Sequence, residues 1–238
     1  MVYNGKALST WIDDYWHELA PFTPPNAQSK EKQENALQAV QHIGTNALPF
    51  LMEEMRSTDS VIKTKTYLWA TKQHLFKIPM WPGFLRHQRA KIGFRMLGPR
   101  AQSVVPELIA LLQSTNTKWY YKCDIEEILG SIGADAKAAV PTLTGFLSST
   151  NEWLRRDAAM TLGKIGTDAE LVIPALLANI GHTNGEVRYR VVGAIGKFGD
   201  RAQKVCPEVE QSLRSALKDS NQDVREAAEK ALKQIGCP

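Results

Sequence analysis

The chain has 238 residues, of which 43% are apolar and 23% charged, and its net charge at pH 7 is +4. This apolar content is ample for a folded protein, and no run approaches about 18 consecutive apolar residues, which argues against a membrane-spanning helix. The first residues lack the profile of a secretory signal, and Cys123, Cys206 and Cys237 have neither metal-ligand nor disulfide spacing, so we expect a reducing, cytoplasmic compartment.

One phrase recurs along the chain: an apolar residue and a glycine, an alanine three residues later and a proline five beyond that. From Gly98 onward the glycines stand 33 to 37 residues apart, a period typical of stacked helix pairs. Glycine just past a helix supplies left-handed backbone, and proline suits the first turn of the next helix. We therefore assign structural roles to the glycines and prolines of the four full copies. They are Gly98, Gly133, Gly166, Gly199, Pro106, Pro141, Pro174 and Pro207.

The amino end, residues 1–44, predicts two helices joined by a loop that contains Pro21, Pro24 and Pro25. The first helix covers residues 8–19 and the second covers 30–43. Four large residues of the first helix, Trp11, Tyr15, Trp16 and Leu19, lie largely on one side. Because the ends of a repeat array must be closed off, we expect this side to cap the array. Docking of an outside partner is the alternative.

Residues 45–98 predict an irregular copy. Gly44 and Gly98 are 54 residues apart, and the surplus falls in the turn between two helices, at residues 57–83. Insertions in repeat arrays often lie on the binding face. Nine basic residues and no acidic one occur between Asp59 and Glu107, whereas the rest of the chain has 20 basic and 25 acidic residues.

Basic residues interleaved with aromatic ones suit an anionic partner. We therefore predict a partner-binding surface in and beside the insertion. Its residues are Lys63, Lys65, Trp69, Lys72, Lys77, Trp81, Arg86, Arg89, Lys91 and Arg95. The alternative is structural: the aromatic residues pack the inserted helix on the array, and the basic run is a solvated face.

Residues 99–238 predict four regular helix pairs. Counted back from each closing glycine, positions 12, 8, 4 and 1 are apolar, as in Leu154, Ala158, Leu162 and Ile165. Residues two and six beyond each proline give the first helix its own apolar side. No single pair can bury such a stripe alone, so stacking must supply the core. We expect an all-α fold and one continuous domain over residues 1–238.

These helices resemble HEAT repeats, specifically the short bacterial type also found in phycobilisome-lyase-like proteins. The strings DVREAAEKALKQIG, EVRYRVVGAIGKFG and WLRRDAAMTLGKIG carry the resemblance, together with the linker phrase, over residues 86–238. The opening YNGKALSTWIDDYW resembles a short element that precedes HEAT arrays in many bacterial proteins. The resemblance implies a right-handed α-solenoid of antiparallel helix pairs whose second helices line a concave face. It implies no shared activity.

A row of basic residues stands eleven positions before the closing glycines. It consists of His87, Lys122, Arg155, Arg188 and Arg225. The row predicts either a basic track for a ligand or a ladder of ion pairs with acids such as Asp223, Glu186 and Asp219. Recurrence in every regular copy favours the ladder, because a position shared by all repeats normally serves stacking.

No catalytic or metal-binding arrangement is evident. His17–Glu18 is a single His-Glu pair, whereas HEAT-like deoxyhypusine hydroxylases need several pairs for two irons. HEAT-like alkylpurine DNA glycosylases use an acid among aromatics in a basic groove, and only a neighbouring acid such as Asp124 or Glu126 could serve here. We therefore predict no enzyme activity, no cofactor and no metal.

Three functions remain open from the sequence. The favoured one is a non-catalytic, monomeric scaffold that binds an acidic protein partner through the concave face and the basic insertion. Nucleic-acid binding through the same basic stretch is the alternative. A lyase-like or base-excision enzyme on this fold is the least supported.

Overall fold

The computed structural model describes residues 1–17, 27–57 and 83–237. Nearly all of them are helical, and they form two compact units, Met1–Val104 and Val105–Pro238. The fold is an all-α solenoid of antiparallel helix pairs, as the repeated phrase predicted. None of the described helices is long and apolar enough to cross a membrane. The single continuous domain over residues 1–238 stays a prediction.

The first unit begins with a small hairpin that the sequence pattern did not predict. Asn4 and Gly5 form its turn with φ values of 49° and 73°, which is the two-residue Asn-Gly turn that matches strand twist. The elements of the unit are β1 Val2–Tyr3, β2 Lys6–Ala7, α1 Leu8–His17, α2 Ala27–Ile43, a 3-10 turn Gly44–Ala47, α3 Leu48–Arg56, α4 Gly83–Leu97 and a second 3-10 turn Gly98–Val104.

Helix α1 buries different residues from those expected. Leu8 and Ile12 are fully buried, whereas Trp11 and Tyr15 are only half-buried. The Trp11 indole donates a hydrogen bond to the Tyr3 carbonyl at 3.2 Å, so it helps to hold the hairpin. The side chains of Trp16 and Leu19, the proline loop and the insertion at residues 58–82 lie outside the described residues.

The second unit contains four helix pairs. The first helices are α5 Val105–Gln113, α7 Val140–Phe146, α9 Ala169–Leu177 and α12 Glu208–Ala216, with the short α11 Asp200–Val205 in the last linker. The second helices are α6 Trp119–Ile132, α8 Glu152–Ile165, α10 Gly185–Phe198 and α13 Gln222–Gln234. The predicted apolar stripes form the core: all their members are buried except Tyr121 and Ile180, which are half-buried.

The glycines of the recurring phrase have the predicted positive φ, but two kinds of turn occur. Gly166 is in the left-handed helical region, with φ 65° and ψ 24°. Gly199 has φ 60° and ψ −143°, a region that is essentially restricted to glycine. The phrase therefore ends every second helix of a full copy with a residue of positive φ, although not always with the same turn.

The proline prediction is wrong for one copy. Pro106 and Pro141 are the second residues of α5 and α7, and Pro207 directly precedes α12. Pro174 is instead inside α9, because the chain after Gly166 is already helical from Ala169. A 3-10 turn, Gly133–Ala139, occupies the corresponding stretch before α7, so there the α-helix starts later.

Two features that the sequence analysis did not predict determine where the second helices begin and how closely they pack. Asn151, Asn184 and Asn221 cap α8, α10 and α13 by accepting hydrogen bonds from backbone amides two residues on, at 2.7 to 3.0 Å. A cap of this kind contributes about 1 kcal/mol. The second feature is a glycine three residues before the closing one. A Cβ added to Gly163 would lie 2.8 Å from the Ala194 backbone, so α8 and α10 pack at close range.

Candidate functional site

Three residues of the predicted basic row form hydrogen bonds with the turns between helices. Arg155, Arg188 and Arg225 each donate hydrogen bonds to backbone carbonyls in the turn that precedes their own helix, at 2.6 to 3.1 Å. Arg188 also pairs with both oxygens of Asp219, at 2.7 and 2.6 Å, which confirms that member of the predicted ladder. Glu186 instead pairs with Arg190, so the ladder is wrong in that part.

Two of the predicted partner-binding cations form ion pairs within the first unit. Arg89 is 6% exposed and donates to Asp13 on α1 and to Glu54 on α3, at 2.9 and 3.2 Å. Arg86 pairs with Glu54 at 2.7 Å. Both guanidinium groups therefore tie α4 to its neighbours, and Arg89 is not available as a surface cation.

The other predicted partner-binding residues remain untested. Lys91 is half-buried and Arg95 is exposed on α4. The cations and tryptophans of the insertion lie outside the described residues. They are Lys63, Lys65, Trp69, Lys72, Lys77 and Trp81.

A groove that no sequence pattern indicated runs across α8, α10 and α13 in the second unit. We call it the basic groove; it has a volume of about 430 Å³, and its lining includes Met160, Tyr189, Arg190, Lys197, Asp223 and Lys230. The positive charge belongs to the groove and not to the second unit as a whole, because residues 105–238 together contain 16 basic and 17 acidic residues. The stacking of repeats has thus gathered cations that the sequence spreads over three copies.

Lys197 lies at the centre of the positive charge. Partial burial lowers the pKa of its ammonium group, and the nearby charges of Lys164, Arg190 and Lys230 lower it further. Lys164, Lys197 and Lys230 form no ion pair or hydrogen bond with any residue that the structure describes. Three exposed like charges without a counter-ion favour an anionic ligand.

Exposed aromatic residues stand at the amino ends of α6 and α8. Trp119 and Trp153 are 45% and 53% exposed, and their rings stack with centroids 6.4 Å apart. The Arg156 guanidinium lies over the Trp153 ring at 4.3 Å. Exposed tryptophans beside an arginine are typical of residues that dominate protein interfaces.

A third group of side chains is buried between α6 and α8. We call Cys123, Glu126 and Asp157 the acid–thiol cluster; their sulfur and carboxylate oxygens lie within 4.8 Å of one another. Glu126 is fully buried, Asp157 is 8% exposed and Cys123 is half-buried. Burial raises the pKa of Glu126 well above its usual range, and the Asp157 charge raises it further. Burial and the same two acids also raise the pKa of the Cys123 thiol.

Glu126 is an acid at a buried position of the stack. Counted back from the closing glycine, its position is occupied in the next two copies by Ala159 and Val192, both fully buried, and in the last copy by the exposed Glu229. Counting alone would therefore not have singled out Glu126, because what distinguishes it from Glu229 is its burial. The proximity of Asp157 comes only from stacking, since it is 31 residues further along the chain.

Solved structures of similar fold include two engineered proteins. The crystal structure of one engineered protein matches with a TM-score of 0.58 at 17% identity, covering 96% of both chains. A second engineered protein matches with a TM-score of 0.50 at 16% identity, covering 98% of this chain and 68% of its own. Human deoxyhypusine hydroxylase has a TM-score of only 0.43 at 14% identity, covering 96% of both chains, and supports no inference.

The comparison of sequences is more specific about the family. No curated protein sequence matches the chain significantly. The family model for HEAT repeats matches residues 105–183 and 173–238, which together make up more than half of the chain and include all four regular helix pairs. The chain therefore belongs to the HEAT-repeat family.

Proposed function

We propose that this protein is a non-catalytic scaffold whose second unit binds an acidic segment of a partner protein in the basic groove. The observation that carries the proposal is the set of exposed cations Lys164, Lys197 and Lys230, which have no partner among the described residues, beside a groove of about 430 Å³. A groove of this size accommodates an extended or helical segment with a few anchoring side chains.

The composition of the groove favours a peptide over a nucleic acid. Its lining also includes the acids Asp223 and Glu226, and Met160 and Ala227 contribute apolar surface. A nucleic-acid backbone carries negative charge at every step and would meet repulsion from these acids. A protein segment can place acidic residues against the lysines and apolar or basic residues elsewhere.

The exposed aromatic pair gives such a segment a second contact. Trp153 and Arg156 adjoin Glu186, and Glu186 pairs with Arg190 of the groove lining at 2.9 Å. A ligand that follows the second helices can therefore reach both surfaces within the second unit. The basic insertion at residues 57–83 remains a further proposed contact, on the sequence evidence alone.

The test uses the full chain and two fluorescent peptides of equal length, one rich in glutamate and leucine and the other with lysine in place of glutamate. The triple variant Lys164→Gln, Lys197→Gln, Lys230→Gln should bind the acidic peptide at least about tenfold more weakly, which is about 1.4 kcal/mol. The matched control is Lys137→Gln, Lys204→Gln, Lys218→Gln, which removes three exposed lysines from elsewhere in the same unit.

Two results would overturn the proposal. One is an equal loss of binding in the control variant, since that would reflect net charge alone. The other is preferential, salt-sensitive binding of single-stranded DNA that the groove variant abolishes, which would support the nucleic-acid function instead.

A further inference from the structure

The acid–thiol cluster contains a polar side chain that no neighbour satisfies. Both carboxylate oxygens of Glu126 are buried and have no hydrogen-bond partner among the residues that the structure describes. The hydroxyl of Thr161, on the neighbouring helix α8, donates to the backbone carbonyl of Glu126 at 3.0 Å rather than to its carboxylate. A buried carboxylate without a partner is costly, and the two other copies that bury this position use the apolar residues Ala159 and Val192.

We propose that Cys123, Glu126 and Asp157 bind one divalent transition-metal ion of the zinc class. Cys123 and Glu126 stand three residues apart on α6 and so project from one side of that helix. Asp157 projects from α8, which packs directly against α6. The three ligand atoms therefore converge from two helices of consecutive repeats.

The spacing of the ligand atoms suits a single ion. They lie within 4.8 Å of one another, and zinc takes sulfur ligands at about 2.3 Å and carboxylate oxygens at about 2.0–2.2 Å. Because zinc in protein sites is tetrahedral, two ligand atoms on one ion lie closer together than the sum of these lengths, about 4.5 Å. Binding therefore requires side-chain rotations that draw the three ligand atoms towards one another.

Charge also balances around a divalent ion. The ionised thiolate and two carboxylates carry three negative charges, which the ion and the Arg156 guanidinium offset. Arg156 is already in place, because its Nε donates to the Asp157 carboxylate at 2.7 Å. With the metal bound, the buried group of charges would be neutral.

The mixed ligand set selects the kind of ion. A thiolate ligand favours Zn²⁺ or Co²⁺ over Mg²⁺ and Ca²⁺, which prefer oxygen ligands throughout. Cys123 is half-buried, so the site can be reached from the surface of α6 and α8. Three protein ligands leave a fourth position open to water or to a side chain of a partner.

The competing interpretation is that Glu126 is simply a buried, protonated acid. The two interpretations differ in what Co²⁺ does when added to the untagged full chain. A metal site predicts a thiolate-to-cobalt charge-transfer band in the near ultraviolet that saturates at one equivalent. A protonated acid predicts no such band and no rise in melting temperature with Zn²⁺.

Substitutions then show whether the charge-transfer band arises from the acid–thiol cluster. Cys123→Ser should abolish it, and Glu126→Gln and Asp157→Asn should each weaken Zn²⁺ binding at least about tenfold, in the range seen when metal sites lose a supporting group. The control is Cys206→Ser, because Cys206 also has a carboxylate neighbour, Glu208, at 3.0 Å, but is outside the cluster. It should leave the band unchanged.

The melting temperature of each metal-free variant shows whether it is folded. A Glu126→Gln variant that melts at or above the wild-type temperature and no longer binds Zn²⁺ supports the proposal. A band that survives Cys123→Ser, no band in the wild type, or unchanged Zn²⁺ affinity in a folded Glu126→Gln variant would overturn it.

Discussion

Two neighbouring contacts in the second unit, α6 against α8 and α8 against α10, use the same backbone arrangement with opposite chemistry. In both, a glycine three residues before the closing one faces the next second helix, Gly130 beside Thr161 and Gly163 beside Ala194. One turn further from the closing glycine, the first contact buries Glu126 and the second buries Ala159. The close packing therefore belongs to the repeat, and the buried acid belongs to one copy.

This difference distinguishes residues that stabilise the stack of helices from residues that need a functional explanation. Positions that recur in several copies, such as the glycines and the capping asparagines, serve stacking. A position that departs from the repeat and carries an energetic cost needs another explanation, and the acid–thiol cluster is the clearest case in the second unit. The charges of Lys197 and Lys230 also meet only because the helices stack, although Lys197 occupies the same repeat position as Lys164.

The largest effect should come from removing the close approach of α8 and α10. Gly163→Val should destabilise the protein by about 3 kcal/mol or more, because its side chain would overlap the Ala194 backbone. Urea denaturation measures the loss. Gly193→Ala in α10 is the control, since nothing lies within 4 Å of its added methyl group and helix propensity favours alanine by about 1 kcal/mol. Equal effects at both glycines would refute the close contact.

A substitution that makes the α6–α8 contact resemble the α8–α10 contact should stabilise the protein. Glu126→Leu should raise the free energy of unfolding of the metal-free protein by about 1–3 kcal/mol, because an unpartnered buried acid is replaced by an apolar side chain. Urea denaturation with a chelator present tests this. A destabilised variant would mean that the Glu126 carboxylate has a favourable partner in the folded protein.

The pH dependence of the free energy of unfolding of wild type and Glu126→Leu gives a second measurement. The folded pKa of Glu126 is raised, so its contribution to wild-type stability is present below the unfolded value, near 4.3, and is lost as pH rises. The advantage of Glu126→Leu should therefore grow from pH 4 upward. A constant difference across this range would contradict the raised pKa.

Asp219 offers the contrasting case of a largely buried carboxylate that has a partner. Its hydrogen bonds from Arg188 lower its pKa in the folded state. Asp219→Asn should cost about 1.5–2 kcal/mol at pH 7, since hydrogen bonds to charged groups are among the stronger ones. Because the folded pKa is lowered, this stabilisation is present above the unfolded value near 3.9 and is lost as pH falls further.

Chemical denaturation of wild type and Asp219→Asn at pH 7 and pH 3 provides the measurement. The difference between the two proteins should shrink at the lower pH. Arg214→Gln is a useful control, because its pair with Glu210 is more exposed and should contribute much less to stability. A difference that does not change with pH would assign the effect of Asp219→Asn to packing.

Local patterns in the sequence predicted the core of the fold. Helical spacing identified Val187, Val191 and Ile195 as buried, and the recurring phrase identified every described glycine of positive φ except Gly5, because both depend on residues close together in the chain. The basic groove and the acid–thiol cluster depend on contacts between copies. Asp157 and Glu126 are 31 residues apart in sequence, and only the stacking of α6 on α8 makes them neighbours.

The smallest predicted effect is that of a substitution at one of the two kinds of glycine turn, those at Gly166 and Gly199. Asparagine tolerates the left-handed helical region far better than other non-glycine residues do, so Gly166→Asn should cost only a few tenths of a kcal/mol. Gly199 has ψ −143°, where a side chain is strained whatever its type, and Gly199→Asn should cost about 1–3 kcal/mol. Melting temperatures of the two variants compare the turns directly. Equal losses would mean that both glycines are retained for the same left-handed turn, and the distinction between copies would then be confined to the side chains between their helices.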